Sequence, residues 1–176
     1  TLGAIAFGLP FFWTASSSLK TQSEIFNWPP LWVPAVPQWG NYALVFTLAP
    51  FGRFILNTAI ITILSMIGQV VTAAMVAFGF TRFRFPFRDQ IFFLLLATMM
   101  IPWQVTLVPT FLLFRVLGWI NTYKPLVIPS YFGGGAFNIF LLRQFFMTIP
   151  RDFDEAAHID GATSLHIFAR IILPLS

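Results

Sequence analysis

The chain has no cysteine and very little charge. The absence of cysteine from all 176 residues excludes disulfides, thiolate metal sites and cysteine nucleophiles. Charged residues make up 9% of the sequence, whereas soluble domains carry about a quarter. The chain therefore cannot cover a globule with charge. Its two histidines, His158 and His166, lie close together in one polar segment, and we expect neither a metal centre nor a cofactor.

Apolar residues dominate instead. They make up 57% of the sequence, and the mean hydropathy is +0.80. We therefore predict an all-α integral membrane protein, a polytopic bundle of transmembrane helices. The net charge is +4, but there is no dense basic face of the kind that binds nucleic acid. The basic residues are expected at the borders of the membrane.

The first two segments are predicted to be a partial helix and an outer loop. Residues 2–15 are apolar but too short to span a bilayer, so we expect the distal half of a first transmembrane helix. Residues 16–50 combine several prolines with Trp28, Trp32 and Trp39, which predicts an extended loop against the outer membrane surface. A flexible linker is the alternative. We treat 1–176 as a single transmembrane domain and expect it to be truncated at both ends, since it lacks an initial methionine and stops after the last polar segment.

The clearest predicted span covers residues 54–80, which contain no charged residue. Polar side chains form one stripe along it, at Thr58, Thr62, Ser65, Gln69 and Thr72. Two interpretations are open. The stripe could line a translocation path, with Gln69 as its most polar member, or it could be a seam for packing against another helix.

Arginines indicate the orientation of this span. Arg82, Arg84 and Arg88 fall within the ten residues 81–90, and such a cluster predicts a cytoplasmic loop. The second helix then runs inward, the N-terminus lies inside, and the next helix runs outward.

Two further predicted helices contain weak points. Residues 91–114 are interrupted by Pro102 and Pro109, and Trp103 and Gln104 beside the first break are candidates for contact with a transported solute. A kink that only shapes packing is the alternative. Residues 126–149 contain Gly133, Gly134 and Gly135, which predict a hinge, a close backbone contact or a turn.

The long polar segment, 150–175, is predicted to fold as a helix, a glycine turn and a second helix. Asp152, Asp154 and Glu155 suit the positive end of the first helix. Gly161 permits the turn. The apolar face of the second helix is expected to comprise Leu165, Phe168, Ala169 and Ile172, and Pro174 is expected to end it.

This segment resembles the EAA loop of ABC importer permeases. The matching positions are Glu155, Ala156, Ala157, Gly161, Ile171, Leu173 and Pro174. The resemblance implies a cytoplasmic coupling loop whose first helix docks in a cleft of an ATPase subunit. It assigns the charge contact to Glu155 and close docking to the two small alanines. From the residues alone, an amphipathic hairpin on the membrane surface is the alternative.

Shorter motifs extend the resemblance to carbohydrate permeases of the MalG-like kind. They are Ser18-Leu19-Lys20-Thr21, Asn41-Tyr42, Phe83-Arg84-Phe85-Pro86, Met100-Ile101-Pro102 and Leu142-Arg143-Gln144-Phe145-Phe146. The resemblance implies the type I importer fold, with about four helices present and two more after Ser176. It also implies four kinds of partner: ATP-binding cassette ATPase subunits, a second permease subunit, an external solute-binding protein and membrane lipid.

The expected function is binding-protein-dependent import of a sugar or sugar-like solute across the cytoplasmic membrane by alternating access. The chain has no P-loop, so ATP hydrolysis would belong to its partners. A secondary transporter is disfavoured because the predicted spans carry no ionisable residue near their centres. A membrane-embedded enzyme would need paired carboxylates or histidines at the bilayer face, which Asp154, Glu155, His158 and Asp160 could supply, with His158 as the base. The sequence does not identify the solute.

Overall fold

The structure is a computed structural model that describes residues 2–176, a range made of helices and loops without a strand. The all-α prediction is confirmed. The chain divides after Asn57 into two compact units. The first contains α1 (Leu2–Ser18), α2 (Gln22–Ile25) and α3 (Gly40–Leu48). Helix α4 (Phe51–Arg82) begins before the division and supplies most of its length to the second unit.

The second unit continues with shorter helices. These are α5 (Arg88–Ala97), α6 (Trp103–Val116), α7 (Lys124–Val127), α8 (Ala136–Thr148), α9 (Asp152–Ile159) and α10 (Ser164–Ile167). Two 3-10 turns, Thr98–Met100 and Ile128–Tyr131, follow α5 and α7. A π-helical turn, Phe168–Ile172, continues α10.

The loop of the first unit is ordered by a buried lysine. Lys20 is 2% exposed, donates from Nζ to the carbonyl of Leu31, and lies 4.0 Å from the centre of the Trp13 ring. Asn41 ties α3 to the same place by donating to the carbonyls of Ser18 and Lys20 at 3.0 and 3.1 Å. The segment is therefore a folded loop. The prediction of an extended loop over 16–50 is wrong at the end of α1, at α2 and at α3, because no proline lies in these parts of the segment.

Two segments within residues 2–176 are long and apolar enough to cross a membrane. They are Phe51–Arg82, with 32 residues, and Lys124–Thr148, with 25. The first confirms the predicted span over 54–80 and is longer at both ends. The second corresponds to the predicted helix over 126–149 but is not a continuous helix.

The pair α5 and α6 passes the same test only when taken together. Its two halves meet at an angle of 96°. The break lies at Pro102, which precedes the first residue of α6 and has extended backbone. Pro109 lies inside α6 without ending it. The predicted interruption is therefore correct at the first proline and wrong at the second.

The glycine run interrupts the segment before α8 and also makes a close contact. Gly133, Gly134 and Gly135 all have positive φ values, of 91°, 64° and 85°. A Cβ on Gly134 would lie 2.1 Å from the carbonyl oxygen of Gln69 and 2.6 Å from the Cβ of Ala73. Two of the three predicted roles, a turn and a close backbone contact, thus apply together.

Ser65 and Thr72 of the predicted polar stripe bond to the chain that leads into this turn. Ser65 donates to the carbonyl of Leu126 at 2.9 Å, and Thr72 donates to that of Gly68 at 2.7 Å and of Ser130 at 3.3 Å. Thr58, Thr62 and Gln69 are exposed. At Ser65 and Thr72 the stripe is a packing seam.

The apolar core of the second unit lies at the end of α4. It consists of Ala73, Ala74, Ala77, Phe78, Phe80, Phe92, Ile139, Phe146, Ile149, Ala157, Ile167, Phe168 and Ile172. Small residues along α4 let the other helices approach it closely. The core joins α4, α5 and α8 to the polar segment at 150–175, and so it positions that segment.

Candidate functional site

The candidate site is the helix–turn–helix formed by α9, α10 and the π-helical turn, as the sequence pattern predicts. Helix α9 carries Asp152, Asp154 and Glu155 in its first turn, where the helix dipole favours negative charge. Thr163 begins α10, and its hydroxyl oxygen accepts a hydrogen bond from the backbone N–H of His166 at 3.3 Å. Both helix starts therefore follow from local sequence.

The turn between the helices is a Schellman motif. The N–H of Ala162 donates to the carbonyl of Ala157 at 2.9 Å, and the N–H of Gly161 donates to that of His158 at 3.0 Å. Gly161 has a φ of 80°, and a Cβ there would meet no atom within 4 Å. Glycine is thus favoured at this position by its backbone conformation and not by a lack of space.

The second helix is anchored by a different face from the predicted one. Ile167, Phe168 and Ile172 are 1%, 7% and 0% exposed, whereas Leu165 is 68% exposed. The prediction of Leu165 as an anchor is wrong, and Ile167 takes its place. The apolar residues from Leu165 to Ile172 form a wide face opposite His166 and Arg170, so periodicity alone did not select the part of that face which packs. Contact with α4 selects it, since the rings of Phe78 and Phe168 are 5.2 Å apart.

A buried ion pair joins the site to the end of α4. Nε of Arg82 lies 2.8 Å from Oδ2 of Asp154, and the two side chains are 7% and 14% exposed. The N–H of Arg82 Nε is not aligned as a hydrogen bond to any atom of residues 2–176, so the contact is an ion pair without hydrogen-bond geometry. The other carboxylate oxygen of Asp154 is also buried and without a hydrogen-bond partner in that range. Asp154 therefore depends on Arg82.

Two backbone contacts reinforce this junction. Arg82 donates from a terminal nitrogen to the carbonyl of Ile149 at 3.1 Å, and Arg151 donates to the carbonyl of Thr81 at 3.1 Å. Arg82 at the end of α4 thus bonds to the backbone just before α9, and Arg151 beside α9 bonds to the backbone of α4. Together with the ion pair these contacts form what we call the clamp, defined by Thr81, Arg82, Ile149, Arg151 and Asp154. The clamp fixes the start of α9 to the end of α4.

The residues of the EAA-like pattern divide between an outward and an inward face. Glu155, Ala156, Gly161, Leu173 and Pro174 are exposed. Ile171 is half-buried against the core, and Ala157 is 8% exposed within it. Glu155 and Ala156 are therefore available to a partner. The side chain of Ala157 packs inward against the core, and its docking role stays a prediction.

The candidates for a translocation path lie on two helices. Gln69 is exposed on α4, next to the turn at Gly134. Trp103 and Gln104 begin α6 immediately after the break at Pro102, and both are exposed.

Sequence reasoning missed the clamp. Arg82 had a sufficient local explanation as a membrane-border cation, and Asp154 had one as a helix-start acid. The two are 72 positions apart in the chain. A buried charge needs a partner, but only the fold shows which opposite charge is near.

The site offers no metal-binding cluster. Within residues 2–176, the histidines and carboxylates form no group of three or more that could hold a metal ion. Asp154, one of the four candidate residues for an enzyme, is paired with Arg82.

Comparison with known proteins points to one kind of protein. The family model described as "Binding-protein-dependent transport system inner membrane component" matches residues 69–176. A probable ABC transporter permease protein of Pyrococcus horikoshii is 35% identical over 175 residues, which are 98% of this chain and 63% of that protein. An sn-glycerol-3-phosphate transport system permease of Pectobacterium atrosepticum is 30% identical over 181 residues, with 99% and 64% covered.

A solved structure is similar as well. It is a bacterial ABC transporter involved in the import of the acidic polysaccharide alginate, with 25% identity and a TM-score of 0.83. The match covers 99% of this chain and 61% of that one. The chain thus spans less than two thirds of the length of each of these similar proteins.

Proposed function

Because the chain belongs to the family of binding-protein-dependent transport system inner membrane components, we propose that it forms the transmembrane permease subunit of an ABC importer. The family is one of transport permeases and not of enzymes, and it resides in the inner membrane. One observation carries the proposal beyond the family. Glu155 and Ala156 face outward on a helix whose base is fixed to α4 by the clamp.

The proposed mechanism is alternating access driven by ATPase partners. Glu155 pairs with a basic residue of an ATPase subunit, and Ala156 permits close docking. The loop takes its shape from Gly161, Ile171, Leu173 and Pro174. When the ATPase subunits close, α9 moves with them, and the clamp transfers that movement to α4. A buried pair suits this task because removing either partner leaves an uncompensated charge.

The proposed topology places the N-terminus and the segment 150–175 in the cytoplasm. The arginines at Arg82, Arg84 and Arg88 support it, because short loops rich in arginine stay inside. Arg151 and Arg170 add basic residues to the same side. The partners are two ATPase subunits, a second permease subunit and an external solute-binding protein.

The proposed solute is a sugar or a sugar-like compound. Two similar proteins are named for sn-glycerol-3-phosphate and for alginate, both of them polar and related to carbohydrates. Gln69, Trp103 and Gln104 are proposed to line the path, since an amide offers a donor and an acceptor and an indole offers a stacking face. Selection among solutes would rest largely with the external binding protein.

Cysteine cross-linking tests the docking helix directly, because the chain has no cysteine of its own. We expect a single cysteine at Ala156 of the full-length protein to form a disulfide with a cysteine in the cleft of its co-expressed ATPase subunit. The yield should change when ATP is added. A cysteine at Ala157 is the matched control. It lies one position along the same helix but is 8% exposed, so it should cross-link at least tenfold less.

The opposite outcome is equally informative. Absence of a cross-link at Ala156, Glu155 and Ile159 in an inserted, assembled complex would contradict docking by α9. Equal cross-linking at Ala156 and Ala157 would contradict the orientation of the helix.

Reversing the charge of Glu155 should uncouple transport from ATP hydrolysis. We expect Glu155→Lys in the full-length protein to insert normally but to lower solute uptake at least tenfold, because it replaces attraction to a basic cleft residue with repulsion. Uptake and ATPase activity in vesicles measure this. Asp89→Lys makes the same charge reversal outside α9, where Asp89 is exposed and pairs with its neighbour Arg88. Normal uptake by Glu155→Lys would contradict the assigned role.

A further inference from the structure

Four arginines line one small cavity of the second unit. The cavity measures about 250 Å³ and is bordered by Arg82, Arg88, Arg143 and Arg151, with Phe80 and Met147 among its apolar walls. No aspartate or glutamate lines it within residues 2–176. Arg82 and Arg88 belong to the arginine cluster of residues 81–90, and the fold adds Arg143 and Arg151 from a distant part of the chain.

Two of the four positive charges have no carboxylate partner. Arg82 pairs with Asp154 at 2.8 Å, and Arg88 pairs with Asp89 at 3.1 Å. In the described part of the chain, neither Arg143 nor Arg151 forms an ion pair with a carboxylate. Four arginines less two carboxylates leave two positive charges around the cavity.

Arg143 is the least satisfied of the four. Its Nε is buried and has no hydrogen-bond partner within residues 2–176. Its guanidinium carbon lies 4.2 Å from the centre of the Phe92 ring. The ring attracts the cation but supplies no acceptor for the N–H of Nε. Arg151 is different, since it donates to the carbonyl of Thr81.

These features together indicate a bound anion. Arginine side chains that lie close together repel one another. A buried guanidinium N–H without an acceptor also raises the free energy of the folded state. An anion with several oxygens would supply both the opposite charge and the acceptors, and arginine forks match phosphate geometry well. The volume of the cavity, about 250 Å³, is below the range of about 300–1,000 Å³ typical of pockets for drug-sized ligands. The cavity is therefore of a size that suits a phosphate headgroup.

The location favours a lipid as the source of the phosphate. Arg82 is the last residue of one candidate membrane span, and Met147 lies one residue before the end of the other. The cavity therefore lies at a membrane border, where phospholipid headgroups are found. Phe80 and Met147 can contact the glycerol and acyl region below a headgroup. Basic pockets between membrane helices are known to bind anionic lipids.

We propose that this arginine cavity binds the phosphate of an anionic phospholipid headgroup, with Arg143 as the principal ligand. The proposal uses only the charges, the cavity and the ends of the spans. It does not depend on the transported solute or on the ATPase contact, so it can fail or succeed independently of the proposed function.

Lipid titration of the full-length protein tests the proposal. The protein would be purified with its partner subunits in a neutral detergent and titrated separately with phosphatidylglycerol, phosphatidylcholine and inorganic phosphate. Binding is followed by the rise in thermal unfolding temperature. We expect phosphatidylglycerol alone to stabilise the wild type at low concentration. We expect Arg143→Gln to bind it about fivefold more weakly, the effect of about one arginine at an anionic surface.

Arg84→Gln is the matched control. Arg84 belongs to the same basic cluster but is exposed and does not line the cavity. This variant removes the same charge and should bind phosphatidylglycerol as the wild type does. If Arg143→Gln does not assemble, Arg88→Gln provides a second test, because Arg88 also lines the cavity.

Three results would overturn the proposal. The first is equal weakening by Arg143→Gln and Arg84→Gln, which would indicate a diffuse surface charge effect. The second is equal stabilisation by inorganic phosphate, which would identify a free anion as the ligand. The third is no preference for phosphatidylglycerol over phosphatidylcholine in the wild type.

Discussion

Gly134→Ala should destabilise the full-length protein by about 3–5 kcal/mol, combining overpacking with left-handed backbone strain. The added Cβ would lie 2.1 Å from the carbonyl oxygen of Gln69 and 2.9 Å from the backbone nitrogen of Ala73. Both are backbone atoms of α4, so no side chain can rotate away to make room. The turn would have to separate from α4 and expose the seam at Ser65 and Thr72.

Gly118→Ala separates these two causes. Gly118 has a φ of 67°, close to the 64° of Gly134, but a Cβ there would meet no atom within 4 Å. The N–H of Gly118 donates to the carbonyl of Arg115 and the N–H of Trp119 donates to that of Phe114, the pattern of a left-handed residue that ends a helix. The control therefore carries backbone strain without a clash and should lose only about 1–2 kcal/mol. Thermal unfolding followed by the loss of monodisperse protein in detergent measures both variants. Equal unfolding temperatures would contradict the close approach of the turn to α4.

Breaking the clamp is the second large expected effect. Arg82→Met and Asp154→Leu should each lower stability by about 3–5 kcal/mol, because each leaves a buried charge without its partner. The side chains of Arg82 and Asp154 are 7% and 14% exposed, so water would compensate the remaining charge poorly. The double variant should be less destabilised than the sum of the two single ones, since it removes both charges.

A second arginine–aspartate pair in the same chain is the matched control. Arg88 and Asp89 lie 3.1 Å apart, with side chains 28% and 73% exposed. The same cycle applied to Arg88→Met and Asp89→Leu should give a coupling of no more than about 1 kcal/mol. If the two cycles gave the same coupling, the clamp would be only an ordinary surface contact. Solute uptake is measured separately on the clamp variants that still fold and assemble. It shows whether loss of the ion pair between Arg82 and Asp154 also uncouples transport from ATP hydrolysis.

The predicted helix starts and stops were largely correct because they depend on neighbouring residues. Three acids begin α9, Gly161 ends it, and Thr163 begins α10, each through contacts that span a few positions. The break at Pro102 is equally local. Pro109 shows the limit of such reasoning, since α6 continues through it.

The faces of the helices were less predictable because the chain is apolar on nearly every side. Leu165 and Ile167 are similar in hydrophobicity, yet one is 68% exposed and the other 1%. Ala157 and Ala156 are identical and adjacent, yet only the first is buried. A periodic pattern selects a face only where polar residues mark the opposite one.

Charges were the least predictable feature. Lys20 reads as an exposed cation of an outer loop, but it is 2% exposed and holds that loop together. Arg82 and Asp154 each had a local role in the sequence, and only the fold makes them a pair. The energy of a charge depends on solvent exposure and on its distance from other charges, and both are tertiary quantities.

Composition and local pattern were sufficient to establish the membrane class, the helical architecture and the helix–turn–helix, and the EAA-like motif carried the resemblance to importer permeases. The first three properties rest on hydrophobicity summed over a segment and on contacts between near neighbours in the chain. The packed structure alone determined which face of α9 is free, what joins α9 to α4, and where four arginines meet. Each of these depends on distances between residues far apart in sequence, which folding creates and a linear pattern does not encode.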